Sequence, residues 1–220
     1  MLTARDVHFG YGGEPVLSGA DLVVAQGESV ALVGPSGAGK SSLLYCLAGI
    51  LLPSSGEITL DETVISAASA SERCRLRRER FGFVFQFSEL VPELSIRENV
   101  EFPLRLMGFA RKETRRRATD IMERLGILAS ADRRPGQVSG GQAQRAAVAR
   151  AVIHRPTHVF ADEPTGSLDT VSGRQVLEEL LALVKEEQSS LILVTHDQNV
   201  AAAMERQIQV VDGRCMAGVQ

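Results

Sequence analysis

The residues Gly34-Pro35-Ser36-Gly37-Ala38-Gly39-Lys40-Ser41 fulfil the pattern G-x-x-x-x-G-K-[ST]. They follow an apolar run, Ser29 to Val33, that reads as a strand, and precede a run from Ser42 to Gly49 that reads as a helix. That strand-to-helix context is what the pattern requires. The glycines let the backbone fold around a phosphate, so that successive N–H groups and the helix N-terminus, opened by Ser42, face its oxygens. Lys40 then adds a positive charge at the β- and γ-phosphates, and the Ser41 hydroxyl suits Mg²⁺. A chance glycine-rich turn is the bland alternative, and the flanking strand and helix weigh against it.

A second candidate lies at the end of the apolar run His158 to Ala161, where Asp162 and Glu163 follow directly. In an open parallel sheet, ligands bind beyond the carboxyl ends of the strands, and adjacent carboxylates there point different ways. Asp162 suits Mg²⁺, and Glu163 suits a general base that takes a proton from an attacking water, worth about 10²–10⁴ in rate. Alone, such a pair after a strand is more often a helix cap or a solvated turn. Beside a phosphate loop, the catalytic reading prevails.

Val138-Ser139-Gly140-Gly141-Gln142, followed by the alanine-rich run Ala143 to Val152, reads as a capped helix with Ser139 as N-cap and two glycines leaving the amides bare. Taken together with the phosphate loop and Asp162-Glu163, this pentapeptide resembles the signature sequence of the ABC ATPases, with Val138 where leucine is usual. Further elements follow in that family's order along nearly the whole chain. Tyr11 resembles the aromatic that stacks on adenine, with Phe9 as the alternative. Gln86 resembles the glutamine that senses Mg²⁺ and the attacking water, Ser167-Leu168-Asp169 the loop at the dimer interface, and His196 the switch histidine.

The resemblance implies an ATPase with ATP and Mg²⁺ as cofactors, Glu163, His196 and Gln86 as catalytic residues, and Ser41, Gln86 and Asp162 at the metal. It implies a P-loop NTPase fold of the α/β class: a RecA-like parallel-sheet core, an N-terminal antiparallel β subdomain and a helical signature subdomain. It also implies two copies. A phosphate loop leaves the γ-phosphate open on one side, and Ser139, Gly140, Gly141 and Gln142, with Asp169, would close over the ATP of a second copy. A membrane permease is the further partner implied, with the subunit held at the cytoplasmic face.

Ala161-Asp-Glu-Pro-Thr-Gly-Ser-Leu-Asp169, Phe85-Gln86-Phe87 and Glu98-Asn99-Val100 resemble the branch serving lipoprotein release, macrolide and peptide-antibiotic efflux, haem export and cell-division signalling. Export of an amphipathic or hydrophobic substrate is the expectation, with signalling without transport as the alternative. A nucleic-acid-bound clamp would need a second cassette or a long coiled coil, neither of which 220 residues hold. A GTPase would need an N-K-x-D sequence, and none occurs.

The elements that must position these residues are legible in part. Beta-rich runs at Ala20 to Val24, Ser29 to Val33 and Glu57 to Leu60 are punctuated by Gly and Pro. The strand Phe81 to Phe85 leads into a polar middle in which Ala118, Ile121, Met122 and Leu125 mark one helix face. After Pro156 comes strand, helix Val171 to Glu187, and the unbroken apolar strand Leu191 to Val194, as in a buried parallel sheet. The expected division is a core of 1–87 and 157–220 and a helical lobe of 88–156, all one ABC domain.

Phe87 to Leu94 mixes apolar residues with acids and reads either as a surface receiving a partner's helix or as an anchored loop. The arginine-rich stretches at 73–78 and 111–117 read first as solvated helix faces, with lipid headgroups as the other reading. No aromatics interleave there for nucleic acid, and a formal net charge of −3 supplies no attracting field. Cys46, Cys74 and Cys215 form no disulfide or zinc spacing. The longest apolar run, Leu43 to Leu52, is far short of the ~20 residues of a spanning helix. Direct membrane insertion is therefore not expected.

Overall fold

The computed structural model describes residues 1–217. In chain order the strands are β1 (Leu2–Tyr11), β2 (Glu14–Val24), β3 (Ser29–Val33), β4 (Ser55–Leu60), β5 (Thr63–Val64), β6 (Phe81–Phe85), β7 (His158–Asp162), β8 (Ser190–Val194), β9 (Arg206–Val211) and β10 (Arg214–Ala217). The helices are α1 (Lys40–Leu47), α2 (Ala70–Arg80), α3 (Ile96–Leu106), α4 (Arg111–Arg124), α5 (Gly140–Val152), α6 (Thr170–Glu186) and α7 (Gln198–Ala202). The chain forms two compact units, one of Met1–Arg77 with the chain from Ser190 onward, the other of Arg78–Ser189.

In the first unit, β2, β1, β4 and β5 lie in that order as an antiparallel sheet. Beside it, β3 runs parallel to both β8 and β9, and β10 turns back antiparallel on β9. All of Ser190 to Val194 and the centre of β3 are buried. Continuous apolar runs of this kind belong to strands covered on both faces. Strand β1 escapes a sequence reading because bulges between Ala4 and Val7, and again at Val7 and Phe9, break its alternation. Strand β9 alternates cleanly, with Ile208 and Val210 buried and Gln207 and Gln209 exposed, a period of two that its short length obscures.

In the second unit, β6 and β7 pair in parallel from Phe81 with His158 to Phe85 with Asp162. Between them come α3, α4 and α5, and Ala118, Ile121, Met122 and Leu125 are all buried as the spacing predicts. Ser95 and Glu98 form a capping box at the start of α3. A Cβ on Gly82 would lie 2.1 Å from the carbonyl oxygen of Ala151, so β6 seats directly on α5. Strands β6 and β7 and helices α5 and α6 pack as one body, and compactness divides the chain at 77/78 and 189/190.

Candidate active site

The phosphate loop is built where β3 gives way to α1. Gly34 has φ 144°, and a Cβ there would lie 2.1 Å from the Val210 carbonyl oxygen, so β9 closes against the loop only because residue 34 has no side chain. The crest, Pro35, Ser36 and Gly37, is exposed, while Ala38 and Gly39 are buried beneath it. Helix α1 begins without any side-chain cap: Gly39 stands at the N-cap with φ 96° and accepts the Leu43 amide. The opening amides of α1 therefore carry no capping side chain, the condition an anion-binding helix N-terminus needs. Lys40 arches over the loop, its Nζ donating to the carbonyls of Gly34 at 2.9 Å and Pro35 at 2.8 Å. Ser41 and Ser42 follow in the first turn, both half-buried.

Two further expected residues lie in the same unit. Tyr11 is 56% exposed at the end of β1, its ring held edge-on by Phe9 at 4.8 Å. Of the two aromatics it is the more exposed, Phe9 being half-buried. The β1–β2 hairpin that carries it also supports the loop from below, since Val16 and Leu17 approach Gly39. His196 is exposed just past β8, between buried Thr195, whose hydroxyl accepts the Asp197 amide at 3.0 Å, and Asp197, which caps α7. Gly34 and His196 line one open depression of about 650 Å³, together with Thr195, Asp197 and Gln207.

The second unit carries the other half of the expected set. Because Phe85 and Asp162 are register partners, Gln86 and Glu163 leave two neighbouring strands side by side. Glu163 has φ 48°, a left-handed conformation that costs a non-glycine residue on the order of 1–3 kcal/mol and persists where its surroundings hold it. The turn after it closes through the Gly166 amide onto the Glu163 carbonyl at 3.0 Å. A Cβ on Gly166 would stand 3.0 Å from Gln86 Nε2, which places the Gln86 amide against that turn. Ser167 Oγ donates to the Gln86 carbonyl at 2.6 Å.

Ser139 caps α5 as expected: its Oγ accepts the Gln142 amide at 3.3 Å, and its own amide donates to Gln142 Oε1 at 3.1 Å. Gln142 is thus committed to the cap, while Ser139 and Gly140 lie exposed and Gly141 half-buried. Gly140 and Gly141 face Leu168 and Ser172 across van der Waals distance, so the cap and the start of α6 form one exposed surface. Asp169 is the N-cap of α6, accepting from the amides of Val171 and Ser172. Hydrogen bonds from the Ser172 hydroxyl and then its amide hold the Asp169 carboxyl below the usual range. Phe87 is 71% exposed, whereas the chain from Val91 to Ser95 is tied down by Asn99, whose amide bonds the backbone at Val91, Leu94 and Ser95.

Two residues of this unit went unread in the sequence. Gln144 is fully buried, and its Nε2 donates to the carbonyls of Phe85 at 2.8 Å and Pro164 at 2.6 Å. Arg150 donates to the carbonyls of Glu89 at 2.6 Å and Ser88 at 2.8 Å, the two positive-φ residues after Phe87. The signal was present: a polar amide and a guanidinium flanking the alanine-rich run Ala146 to Ala149, which is buried.

The chemistry of these groups fits a nucleoside triphosphate with Mg²⁺. An uncapped helix start, a glycine-built cradle and a lysine Nζ across it suit phosphate oxygens, and within each unit one hard oxygen donor of the kind Mg²⁺ takes is present, the Ser41 hydroxyl in the first and the Asp162 carboxylate in the second. Residues 17–166 match the family model described as "ABC transporter". A lipoprotein-releasing system ATP-binding protein LolD from Legionella pneumophila (strain Paris) is 41% identical over 213 residues, covering 97% of this chain and 94% of that protein. The LolD of Hydrogenovibrio crunogenus is 43% identical over 199 residues, covering 90% and 86%. Among solved structures, the dimeric post-hydrolysis ATP-binding cassette MJ0796 bound to ADP and Pi superposes with a TM-score of 0.89 at 35% identity, covering 98% of this chain and 96% of that one.

Proposed function

This chain belongs to the ABC transporter family as an ATP-binding subunit whose hydrolysis of ATP is coupled to membrane transport, and from that membership we propose that the transport it powers is the release of lipoproteins from a membrane. The observation that carries the finer reading is that relatives from separate genera, aligned over nine-tenths or more of this chain, are themselves ATP-binding proteins of a lipoprotein-releasing system. Of the substrates expected from the sequence, lipoprotein is the one they favour over haem, macrolide or peptide antibiotic. The alternative of signalling without transport has no observation of its own.

The roles follow from the chemistry of each side chain. Tyr11 stacks on the base. The loop from Gly34 to Ser42 holds the phosphates with its amides and the Lys40 charge. Ser41, Asp162 and Gln86 would hold Mg²⁺, which would supply positive charge to the phosphate oxygens. Glu163 takes the proton of the water that attacks the γ-phosphorus, as the bond to the β-phosphate oxygen breaks and ADP departs. His196 steadies the transferred group. Ser139, Gly140, Gly141 and Gln142, with Asp169, present a helix N-terminus to the ATP of a second copy. ATP then joins two copies head to tail.

The dimer docks on permease subunits at the cytoplasmic face, and no helix among the described residues is long and apolar enough to cross the bilayer. Within this scheme 1–87 and 157–220 act as the nucleotide-binding core and 88–156 as the helical lobe. The test is reconstitution with the cognate permease in proteoliposomes carrying a triacylated lipoprotein. ATP should release that lipoprotein to a soluble acceptor. ATP turnover without release would remove the lipoprotein reading and leave the family membership intact.

A further inference from the structure

We infer that Gln144 and Arg150 are positioning residues for hydrolysis, through which helix α5 grips the segment that carries Gln86 on both sides and the turn that follows Glu163. The inference rests on the reading of Gln86 and Glu163 as hydrolytic residues given above. One amide, Gln144 Nε2, bonds the carbonyl just before Gln86 at 2.8 Å and the carbonyl just after Glu163 at 2.6 Å. Phe85 pairs with Asp162, so this one group spans the two strand ends where both hydrolytic side chains leave the sheet. Farther along the same helix, by about 9 Å at 1.5 Å per residue, Arg150 bonds the carbonyls of Ser88 and Glu89 at 2.8 and 2.6 Å. Gln86 and Phe87 lie between the two grips.

The helix that makes these bonds is the one Ser139 caps. Its body from Ala146 to Ala149 is buried, and β6 lies directly on it at Gly82. A buried amide donor left without an acceptor costs more than its bond gains, so a glutamine on this alanine-rich face is held to its two carbonyls. Displacement of the cap by a bound partner therefore shifts the Gln86 backbone and the Glu163 turn as one body with α5. Neither Gln144 nor Arg150 needs to touch the nucleotide for this. Their effect is on the placement of the water and its base, hence on kcat, while nucleotide binding by the phosphate loop is left alone.

The test uses the isolated subunit with Gln144→Met, which keeps length and volume and removes both donors, Arg150→Met at the far grip, and Gln144→Glu. Misplacement of reacting groups by about 1 Å costs ~10²-fold, so the two Met variants should lose between about ten- and a hundredfold in kcat. Their KM and fluorescent-ATP affinity should stay within about twofold of wild type, read well below each variant's unfolding temperature. Gln144→Glu supplies a readout that packing alone would not move. The neutral acid donates one O–H to one carbonyl, the carboxylate repels both, and burial raises the carboxyl pKa. Its kcat relative to wild type should therefore rise as pH falls.

Wild-type kcat in folded Gln144→Met and Arg150→Met would overturn the inference, as would a loss shared equally by nucleotide affinity. Should Gln144→Met not fold, Arg150→Met and the pH profile of Gln144→Glu decide it, and a flat profile counts against it. Glu163→Gln, assayed alongside, separates the two layers. Undiminished turnover there overturns the hydrolytic assignment, whereas a dead Glu163→Gln beside fully active Met variants overturns only the positioning role.

Discussion

Ser167 Oγ lies 2.6 Å from the backbone carbonyl of Gln86 and donates to it, so the turn that begins at Glu163 closes back on the strand end that delivers Gln86. The bond spans 81 residues of sequence and is exposed. Water replaces part of it in Ser167→Ala, so kcat for ATP should fall only between about two- and tenfold, the size of one net hydrogen bond. Steady-state kinetics with KM unchanged is the expected result. A fall in unfolding temperature with intact kcat would show the bond to be structural only.

Lys40→Ala should nearly abolish ATP binding. The lysine is the charged group of the loop, and without it the phosphates meet amides and hydroxyls alone. Calorimetric titration with ATP reads the loss directly, and an unchanged affinity would remove the phosphate-loop assignment.

Glu163→Gln keeps the shape of the side chain and loses the proton acceptor. Hydrolysis should drop by about 10²-fold or more, and the ATP-bound dimer should accumulate on size exclusion. Ser139→Arg places a long cation on the exposed cap of α5 and should block that dimer while leaving the affinity of a single copy for ATP intact. Dimerisation of Ser139→Arg at wild-type ATP concentrations would move the interface elsewhere.

Gly82→Ala is expected to destabilise the chain although the residue touches no site. Its Cβ would stand 2.1 Å from a helix carbonyl oxygen, a backbone atom with no freedom to yield. Overpacking of this kind costs roughly 1–3 kcal/mol, which for a chain of 220 residues lowers the unfolding temperature by about 2–4 °C per kcal/mol. Calorimetry that finds no change would mean β6 does not seat on α5 as described.

His154 gives a pH dependence of known sign. Burial lowers its pKa, against the hydrogen bond between Nε2 and the Phe81 carbonyl at 3.0 Å, which raises it. Above the unfolded value of about 6.5 both states are neutral and the residue adds no slope. As pH falls below that value the unfolded chain takes the proton first, so stability declines until the lowered folded pKa is passed. Thermal unfolding followed from pH 7.5 to 5 should show this decline, and His154→Gln should flatten it. An equally steep decline in that variant would assign the effect to other groups.

Much of the site was readable because its parts are contiguous. A strand, six residues of loop and a Lys–Ser pair specify a phosphate cradle within one turn of chain, and the uncapped Gly39 start of α1 is the local geometry that pattern predicts. The same holds for the Ser139 and Gln142 box, a reciprocal bond over three residues. The strand β1 was not readable, because its bulges cancel the alternation a reader relies on. Asp169 shows a different gap: the resemblance offered it as part of an interface loop, and its place as the N-cap of α6 came only from the structure.

What the sequence determined by itself is the chemistry available: a lysine over a glycine loop, a carboxylate pair ending a buried strand, a serine-capped helix with bare glycines, and their order along the chain. What the tertiary structure alone decided is which of these are tied to one another. Gln144 reaches carbonyls 59 and 20 residues away, and those partners depend on the register of β6 against β7 and on the seating of β6 upon α5 at Gly82. Capping and loop formation are short-range backbone events that adjacent residue types specify. A hydrogen bond between distant segments exists only after packing has set the distance between two elements, and that distance is a property of the whole packed unit.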